Sequence, residues 1–319
     1  MIVRLLGVYS VTYPPHPPRT STYRIKANEP EVIGLRGADR SMFKVKLVVG
    51  DGDGGLDDVH GVVWGSFMLV KGNVPIMYGM KCFNKKRAME DKEVGGLEKE
   101  RQILGEFESQ SPFVPILLGS FQTSTSCFSV FQHPISLDLG SVMGDSTVKI
   151  KSDDAKFYIS CIVLALKFLE KEGYMVRMVN PSSVMLSHKG YPILSTLTHC
   201  KKLTGQKSFT ICGEQAYMAP EMISGSGYDF AVDAWGLGVL CYEMILGGNP
   251  FDSGETGETE VYKNIAMWED GGFGRKAKGE GVSGECIECV DGLLGKEPGK
   301  RLGSLGAQDI KVRGRAGAK

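Results

Sequence analysis

The chain has 319 residues, with 37 lysines and arginines against 37 aspartates and glutamates, so its formal net charge is zero. This balance gives no support for nucleic acid or an anionic membrane surface as the main partner. Eight cysteines do not make a disulfide framework in a chain of this length, and the longest clean apolar run, residues 159–166, is too short to span a membrane. We therefore expect a cytoplasmic or nuclear protein with reduced thiols.

The first part of the chain is predicted to be rich in strands. Residues 1–42, which include the proline-rich PPHPP, are interpreted as an N-terminal extension that is partly disordered. Residues 50–58 form an acidic, glycine-rich loop. The predicted elements around this loop are, in chain order, strands at 43–49, 62–72 and 75–83 and a charged helix at 87–107. Two short strands follow before Leu139.

From Leu139 onward the pattern is typical of helices. Residues 153–173 begin with aspartates that can cap a helix and end at a glycine, and residues 230–248 are also apolar on almost every side. Helices of this kind are buried at the centre of a domain. Strands first and helices second predict an α+β protein of two lobes, with a β-rich N-lobe at 43–133 and an α-helical C-lobe at 134–319.

Five short motifs point to a known family. They are YGMK (78–81), TICGEQAYMAPE (210–221), DAWGLGVLCYEM (233–244), NPF (249–251) and KRLG (300–303). Each motif is weak alone, but their order and spacing together resemble the Ser/Thr protein kinases, most closely the AGC group that includes the cyclic-nucleotide-dependent kinases. The resemblance covers about residues 43–310 and implies the two-lobed protein kinase fold.

Three residues of the N-lobe match family positions that bind ATP. Lys81 resembles the strand lysine that holds the α- and β-phosphates, and Glu100 resembles its partner on the adjacent helix. Gly65 resembles the last glycine of the glycine-rich loop. The literal glycine motif at 50–55 lies too far before Lys81 to serve as that loop, and its aspartates would repel phosphates.

Three residues of the C-lobe match positions that maintain the family fold. The resemblance implies that Glu221 and Arg301 form a buried ion pair, and that Asp233 holds the backbone of the catalytic loop.

The carboxylates of the family's active site are missing. No aspartate or glutamate lies between Gly173 and Gly213, where the chain average predicts about five (41 × 37/319). Alignment to the kinase catalytic loop places Met178 at the catalytic aspartate, Ser183 at the magnesium-binding asparagine and Thr196 at the aspartate of D-F-G. A thioether cannot accept a proton, and a neutral hydroxyl is a poor ligand for magnesium. We therefore expect no catalytic residue and no metal site.

The adenine-binding side of the site also departs from the family. Pro134 falls on the position whose backbone N–H donates to adenine, and proline has no N–H. Phe67 falls where the family has a valine above the adenine. We expect no cofactor, although binding of ATP without magnesium stays open because Lys81 and Glu100 are retained.

A basic cluster surrounds the family's activation-loop phosphorylation site. Thr210 matches the phosphorylated threonine, and Arg177 and Lys201 match the residues that receive its phosphate. The cluster is equally consistent with a basic patch that has no remaining role.

These matches favour an inactive kinase homologue, a pseudokinase, that is an allosteric partner or scaffold for another protein, for example an active kinase. The chain ends soon after KRLG, so we expect a truncated C-lobe without the family's C-terminal tail. The first alternative is an active or weakly active Ser/Thr kinase that uses displaced carboxylates, for which Asp138, Asp153 and Asp154 are the candidates. The others are a switch that binds ATP without metal and a decayed gene without function.

Overall fold

The structure is a computed structural model. It describes residues 31–35, 62–71, 74–107, 111–145, 148, 150–252, 254, 257–304, 306–307 and 310. The predicted strand at 43–49, the loop at 50–58 and most of the predicted N-terminal extension lie outside these residues. The chain divides into two compact units. In the described part, one unit comprises residues up to Leu137 together with Met185–Thr198, and the other comprises Asp138–Val184 together with residues from His199 onward.

The first unit is built on an antiparallel sheet of five strands in the order β1-β4-β5-β3-β2. The strands are β1 (Glu31–Leu35), β2 (Val62–Lys71), β3 (Val74–Asn84), β4 (Leu117–Gln122) and β5 (Ser126–Phe131). A second sheet has the order β6-β8-β9 and consists of β6 (Ile135–Asp138), β8 (Val184–Ser187) and β9 (Pro192–Leu194). The two remaining strands, β7 (Tyr174–Met175) and β10 (Lys201–Lys202), pair with each other in the second unit.

Two elements of the first unit differ from the sequence prediction. Residues Glu31–Leu35 form β1 and pair with the edge of β4, although they belong to the segment predicted to be a partly disordered extension. The predicted helix at 87–107 is divided into α1 (Lys85–Glu90) and α2 (Val94–Glu106). The division has a backbone cause, since Lys92 adopts a φ of 58°, which a continuous helix does not allow.

The second unit is helical. Its helices are α3 (Leu139–Gly144), α4 (Ser152–Lys171), α5 (Pro220–Ile223), α6 (Ala231–Leu246), α7 (Glu258–Met267), α8 (Gly272–Lys276) and α9 (Gly284–Leu293). The predicted helices at 153–173 and 230–248 are confirmed as α4 and α6, within two residues at each end. Together the two units confirm the predicted α+β class. Within the described ranges, no helix is long and apolar enough to cross a membrane.

The core of the helical unit forms around α6. Trp235 on this helix is fully buried and stacks on Phe251, with ring centroids 5.7 Å apart. The guanidinium carbon of Arg301 lies 5.1 Å from the Trp235 ring centroid. An arginine is rarely fully buried unless its charge and its donors are matched, so its partners are part of the fold.

The structure brings Glu221 and Arg301 together as a buried pair. Arg301 Nη1 donates to Glu221 Oε1 at 2.6 Å and Nη2 donates to Glu221 Oε2 at 2.9 Å. Further donors of the same guanidinium reach the carbonyls of Ala231 and Gly295, at 2.9 and 2.8 Å. The pair therefore ties α5 to α6 and to the turn after α9.

We expect Glu221→Ala to lower the free energy of unfolding by about 3–5 kcal/mol, because it leaves the Arg301 charge buried and unpaired. The matched control is Glu297→Ala, which removes an exposed carboxylate from a 2.7 Å contact with Lys300. Urea unfolding of the three proteins measures the difference. A Glu221→Ala effect no larger than that of Glu297→Ala would contradict the structural role of the buried pair.

Candidate functional site

Lys81, on β3, and Glu100, on α2, form a buried ion pair. Lys81 Nζ donates to Glu100 Oε1, and the two side chains are 4% and 5% exposed. The other carboxylate oxygen of Glu100 accepts a hydrogen bond from the backbone N–H of Leu197 at 2.7 Å. Glu100 thus joins β3, α2 and the segment after β9.

An aromatic residue that the sequence analysis missed lies beside this pair. Trp64 on β2 is the direct cross-strand partner of Lys81 on β3. Lys81 Nζ lies 5.1 Å from the centroid of the Trp64 ring, within the range of a cation–π contact. Only the strand register reveals this contact, because Trp64 precedes Lys81 by 17 residues in the sequence.

The glycine-rich loop is described only in part. Gly65 lies in β2, opposite Met80 of β3. The glycine motif at 50–55 and the side chain of Phe67 lie outside the described residues, so the predictions on them stay predictions. The part of the loop that the structure describes is therefore a regular strand.

The segment after β5, assigned by the resemblance to adenine binding, packs closely on β3. A Cβ on Gly79 would lie 2.3 Å from the carbonyl oxygen of His133, so only glycine fits there. The next residue, Pro134, is buried, and its carbonyl accepts a hydrogen bond from the N–H of His188 at 3.4 Å. Because proline has no backbone N–H, Pro134 cannot donate to an adenine.

In the helical unit, Asp233 on α6 holds the loop that corresponds to the kinase catalytic loop. Its carboxylate accepts hydrogen bonds from the N–H of Val176 at 2.9 Å and from the N–H of Arg177 at 2.7 Å. Arg177 has a φ of 63°, in the left-handed region that non-glycine residues rarely adopt. Burial raises the pKa of Asp233 to about 6, while the two N–H groups and the Arg177 guanidinium oppose that rise.

Ser183, which the resemblance places at the magnesium-binding asparagine, is fully buried. Its hydroxyl donates to the carbonyl of Asn180 at 2.8 Å and accepts from the N–H of Asn180 at 3.1 Å. The Asn180 side chain completes the turn, since its Oδ1 accepts from the N–H of Ser183 at 2.8 Å. The Ser183 hydroxyl therefore closes a turn within its own loop. Met178, which the resemblance places at the catalytic aspartate, is half-buried.

A carboxylate that the sequence analysis did not consider reaches this loop from outside it. Asn180 Nδ2 donates to Glu214 Oε2. Glu214 is exposed and lies one residue beyond the acid-free stretch that ends at Gly213. No local sequence signal pairs it with Asn180, because the two residues are 34 positions apart.

Arg177 also organises the segment around Thr210. Its Nε donates to the carbonyl of His199 at 2.8 Å, and its Nη1 donates to the hydroxyl of Tyr228 at 3.0 Å. The Tyr228 hydroxyl in turn donates to the carbonyl of Thr210. Lys201 Nζ donates to the Ser208 hydroxyl at 3.0 Å. Arg177 therefore contacts segment 208–210 through the Tyr228 hydroxyl, and Lys201 contacts it directly at Ser208.

Comparison with known protein families matches the protein kinase domain to residues 62–311. The chain belongs to this family.

Curated relatives of this kinase domain include two cyclic-nucleotide-dependent protein kinases and an atypical protein kinase C. It is 31% identical over 236 residues to the cAMP-dependent protein kinase catalytic subunit of Dictyostelium discoideum, over 73% of the chain and 35% of the relative. It is 31% identical over 244 residues to human cGMP-dependent protein kinase 2, over 75% of the chain and 31% of the relative. Atypical protein kinase C of Drosophila melanogaster is 32% identical over 71% of the chain and 38% of the relative. The chain therefore spans about a third of the length of these relatives.

Within this kinase domain, the retained charged residues are buried. Of the three residues that the resemblance places at catalytic and metal-binding positions, Ser183 is fully buried and the other two are half-buried. Lys81, Glu100 and Asp233 are buried and fully engaged in hydrogen bonds or ion pairs. Met178 and Thr196 are half-buried and carry no charge. The described residues contain no group of three or more histidine, cysteine, aspartate or glutamate side chains that could hold a metal ion.

Gly213 packs tightly against the backbone of the catalytic loop at Arg177. It has a φ of 95°, and a Cβ there would lie 2.6 Å from the carbonyl oxygen of Arg177. Gly205 has a similar φ of 82°, but a Cβ there would meet nothing within 4 Å. Substitutions at the two glycines therefore distinguish the cost of a left-handed backbone from the cost of steric overlap.

We expect Gly205→Ala to cost about 1–2 kcal/mol of stability, the strain of a left-handed residue with a side chain. Gly213→Ala should cost about 1–3 kcal/mol more, because the new methyl group must also displace the Arg177 carbonyl. Urea unfolding followed by circular dichroism measures both variants. Equal losses of stability would mean that the loop carrying Arg177 can shift without cost.

Proposed function

We propose that this kinase domain does not transfer phosphate and functions as a pseudokinase that binds another protein. The observation that carries the proposal is that Met178 lies in the catalytic loop, while Asp233 holds the backbone of this loop in place. The loop is thus built and anchored, but the residue at the catalytic position can neither orient a hydroxyl nucleophile nor accept its proton.

The missing metal ligands support the same proposal. Phosphoryl transfer depends on metal ions that bridge and neutralise the phosphates. Ser183 uses its hydroxyl inside its own turn, and Thr196 offers a neutral hydroxyl in place of a carboxylate. Lys81 alone would leave most of the phosphate charge uncompensated.

An active or weakly active Ser/Thr kinase is the second candidate, and the kinase relatives support it equally. The three aspartates considered as displaced carboxylates make other contacts here, and Asp153 lies 3.5 Å from Lys156 Nζ. Asp138 caps α3 by accepting from the N–H of Ser141 at 2.8 Å, and Asp154 accepts from the N–H of Lys151 at 3.1 Å at the start of α4. The observation that favours activity is Glu214, which contacts Asn180 of the catalytic loop.

We expect no transfer of radiolabelled phosphate from ATP to a mixture of basic and acidic protein substrates, with either magnesium or manganese. We also expect no magnesium-dependent rise in melting temperature with ATP, because Met178, Ser183 and Thr196 supply neither the base nor the metal ligands.

The variant Lys81→Met identifies any activity that is seen. Activity that survives this change comes from a contaminating kinase, whereas activity lost with it would refute the pseudokinase proposal. In that case Glu214→Gln tests the second candidate, because it keeps a side chain of the same size and removes the carboxylate. Unchanged activity in Glu214→Gln would exclude Glu214 as the displaced base.

The proposed binding surface is the segment around Thr210. Thr210 is exposed, and its neighbours Phe209 and Ile211 are exposed by 65% and 60%. Large apolar side chains on both sides of an exposed threonine support a protein partner, of which an active kinase is our proposed example. A phosphate on Thr210 would add about −1.5 to −2 charges beside Arg177 and Lys201.

We expect phosphorylation of Thr210 to protect residues 203–212 from limited proteolysis, because the phosphate can pair with the basic side chains and order the segment. Lys201→Ala should reduce this protection. Lys207→Ala is the control, since it removes an exposed positive charge nearby and leaves the Lys201 contact with Ser208 in place. Equal cleavage of the phosphorylated and unmodified proteins would leave the basic cluster without a regulatory role.

A further inference from the structure

The face of the sheet that carries Lys81 also carries two large aromatic side chains. In the β2–β3 register Trp64 lies directly opposite Lys81, and in the β3–β5 register Phe131 lies opposite Gly79. Side chains alternate between the two faces of a sheet, so Gly79 and Lys81 belong to the same face, and their partners belong to it too. Trp64 and Phe131 therefore approach Lys81 from the strands on either side of β3.

The two rings are in contact with each other across β3. Their centroids are 5.2 Å apart with an interplanar angle of 33°. Because β3 lies between β2 and β5 in the sheet, the indole of Trp64 must extend across β3 to reach Phe131. Phe131 is 1% exposed, which gives the indole a fixed apolar surface to rest on.

This arrangement encloses the Lys81 ammonium. Glu100 pairs with it directly, and the centroid of the Trp64 ring lies 5.1 Å from Nζ. The residue is only 3% exposed. A lysine that binds phosphate must present its N–H donors to the ligand. The family's phosphate-binding lysine also has a glutamate partner, so the neighbour that differs here is the aromatic face of Trp64. Both neighbours compensate a buried positive charge.

We propose that Trp64 is an internal ligand of Lys81, and that its indole fills the space in which a nucleotide phosphate would approach the ammonium. The Lys81–Glu100 pair and the Glu100 contact with the Leu197 N–H then persist without nucleotide. This inference rests on the proposed function for its context, but it adds a separate cause of weak nucleotide binding. An aromatic side chain occupies the site, in addition to the missing metal ligands.

The inference predicts that removal of the indole strengthens metal-independent binding of ATP. Isothermal titration with ATP in the presence of EDTA compares the unchanged protein with Trp64→Ala, Trp64→Phe and the double variant Trp64→Ala/Lys81→Met. We expect Trp64→Ala to bind ATP roughly three- to thirtyfold more tightly than the unchanged protein, the range set by loss of one aromatic–cation contact. Trp64→Phe should bind ATP almost as weakly as the unchanged protein, because it keeps a ring at this position. The double variant should lose the gain in affinity for ATP.

Controls separate this inference from the proposed function and from unfolding. Met89→Ala removes an exposed side chain of the same unit and should leave ATP binding unchanged. If folded Trp64→Ala binds ATP no better than the unchanged protein, the internal-ligand inference is wrong, while the pseudokinase proposal stands. Phosphoryl transfer by the unchanged protein would refute the proposed function independently of this result.

A second measurement applies even if Trp64→Ala does not fold. The protein has three tryptophans, so labelling with 5-fluorotryptophan should give three fluorine resonances, and Trp64→Phe identifies the one from Trp64. We expect Lys81→Met to shift that resonance more than those of Trp235 and Trp268, because it removes a charge beside the ring. A Trp64 resonance that stays in place in Lys81→Met would overturn the inference.

Discussion

The catalytic loop of this protein depends on one buried carboxylate. Asp233 accepts hydrogen bonds from two successive backbone N–H groups, of Val176 and Arg177. These bonds support Arg177 in its left-handed conformation, from which its guanidinium reaches the His199 carbonyl and the Tyr228 hydroxyl. The same residue presents its carbonyl to Gly213, where no side chain would fit. The loop and the segment around Thr210 are thus anchored through α6.

This anchoring explains how buried residues away from the positions that the resemblance assigns to chemistry hold the fold of this kinase domain. Asp233, Glu221 and Arg301 are buried, so removal of any one of them leaves a polar or charged group without its partner in the interior. Met178 and Thr196 are half-buried, and the described hydrogen bonds of the fold do not pass through their side chains. The fold therefore depends on the buried contacts of the first set, and the described hydrogen bonds do not depend on the second.

The strand-rich unit illustrates the same separation. In an active kinase the lysine–glutamate pair positions phosphates. In this protein Glu100 also accepts from the Leu197 N–H, and the Trp64 ring lies beside the ammonium, so the pair has a structural role as well. A retained Lys81 is therefore weak support for ATP binding. The surroundings of Lys81 indicate its function better than the presence of Lys81 in a motif does.

The sequence by itself determined the fold class, the central helices α4 and α6 and the positions of Lys81, Glu100, Glu221, Asp233 and Arg301. Helices that are apolar on almost every side and motifs of fixed spacing are local signals, and local signals can be read without a structure. Only the tertiary structure decided that Trp64 lies over Lys81 and that Glu214 contacts Asn180. These contacts depend on strand register and chain folding, which bring together residues that no local pattern relates.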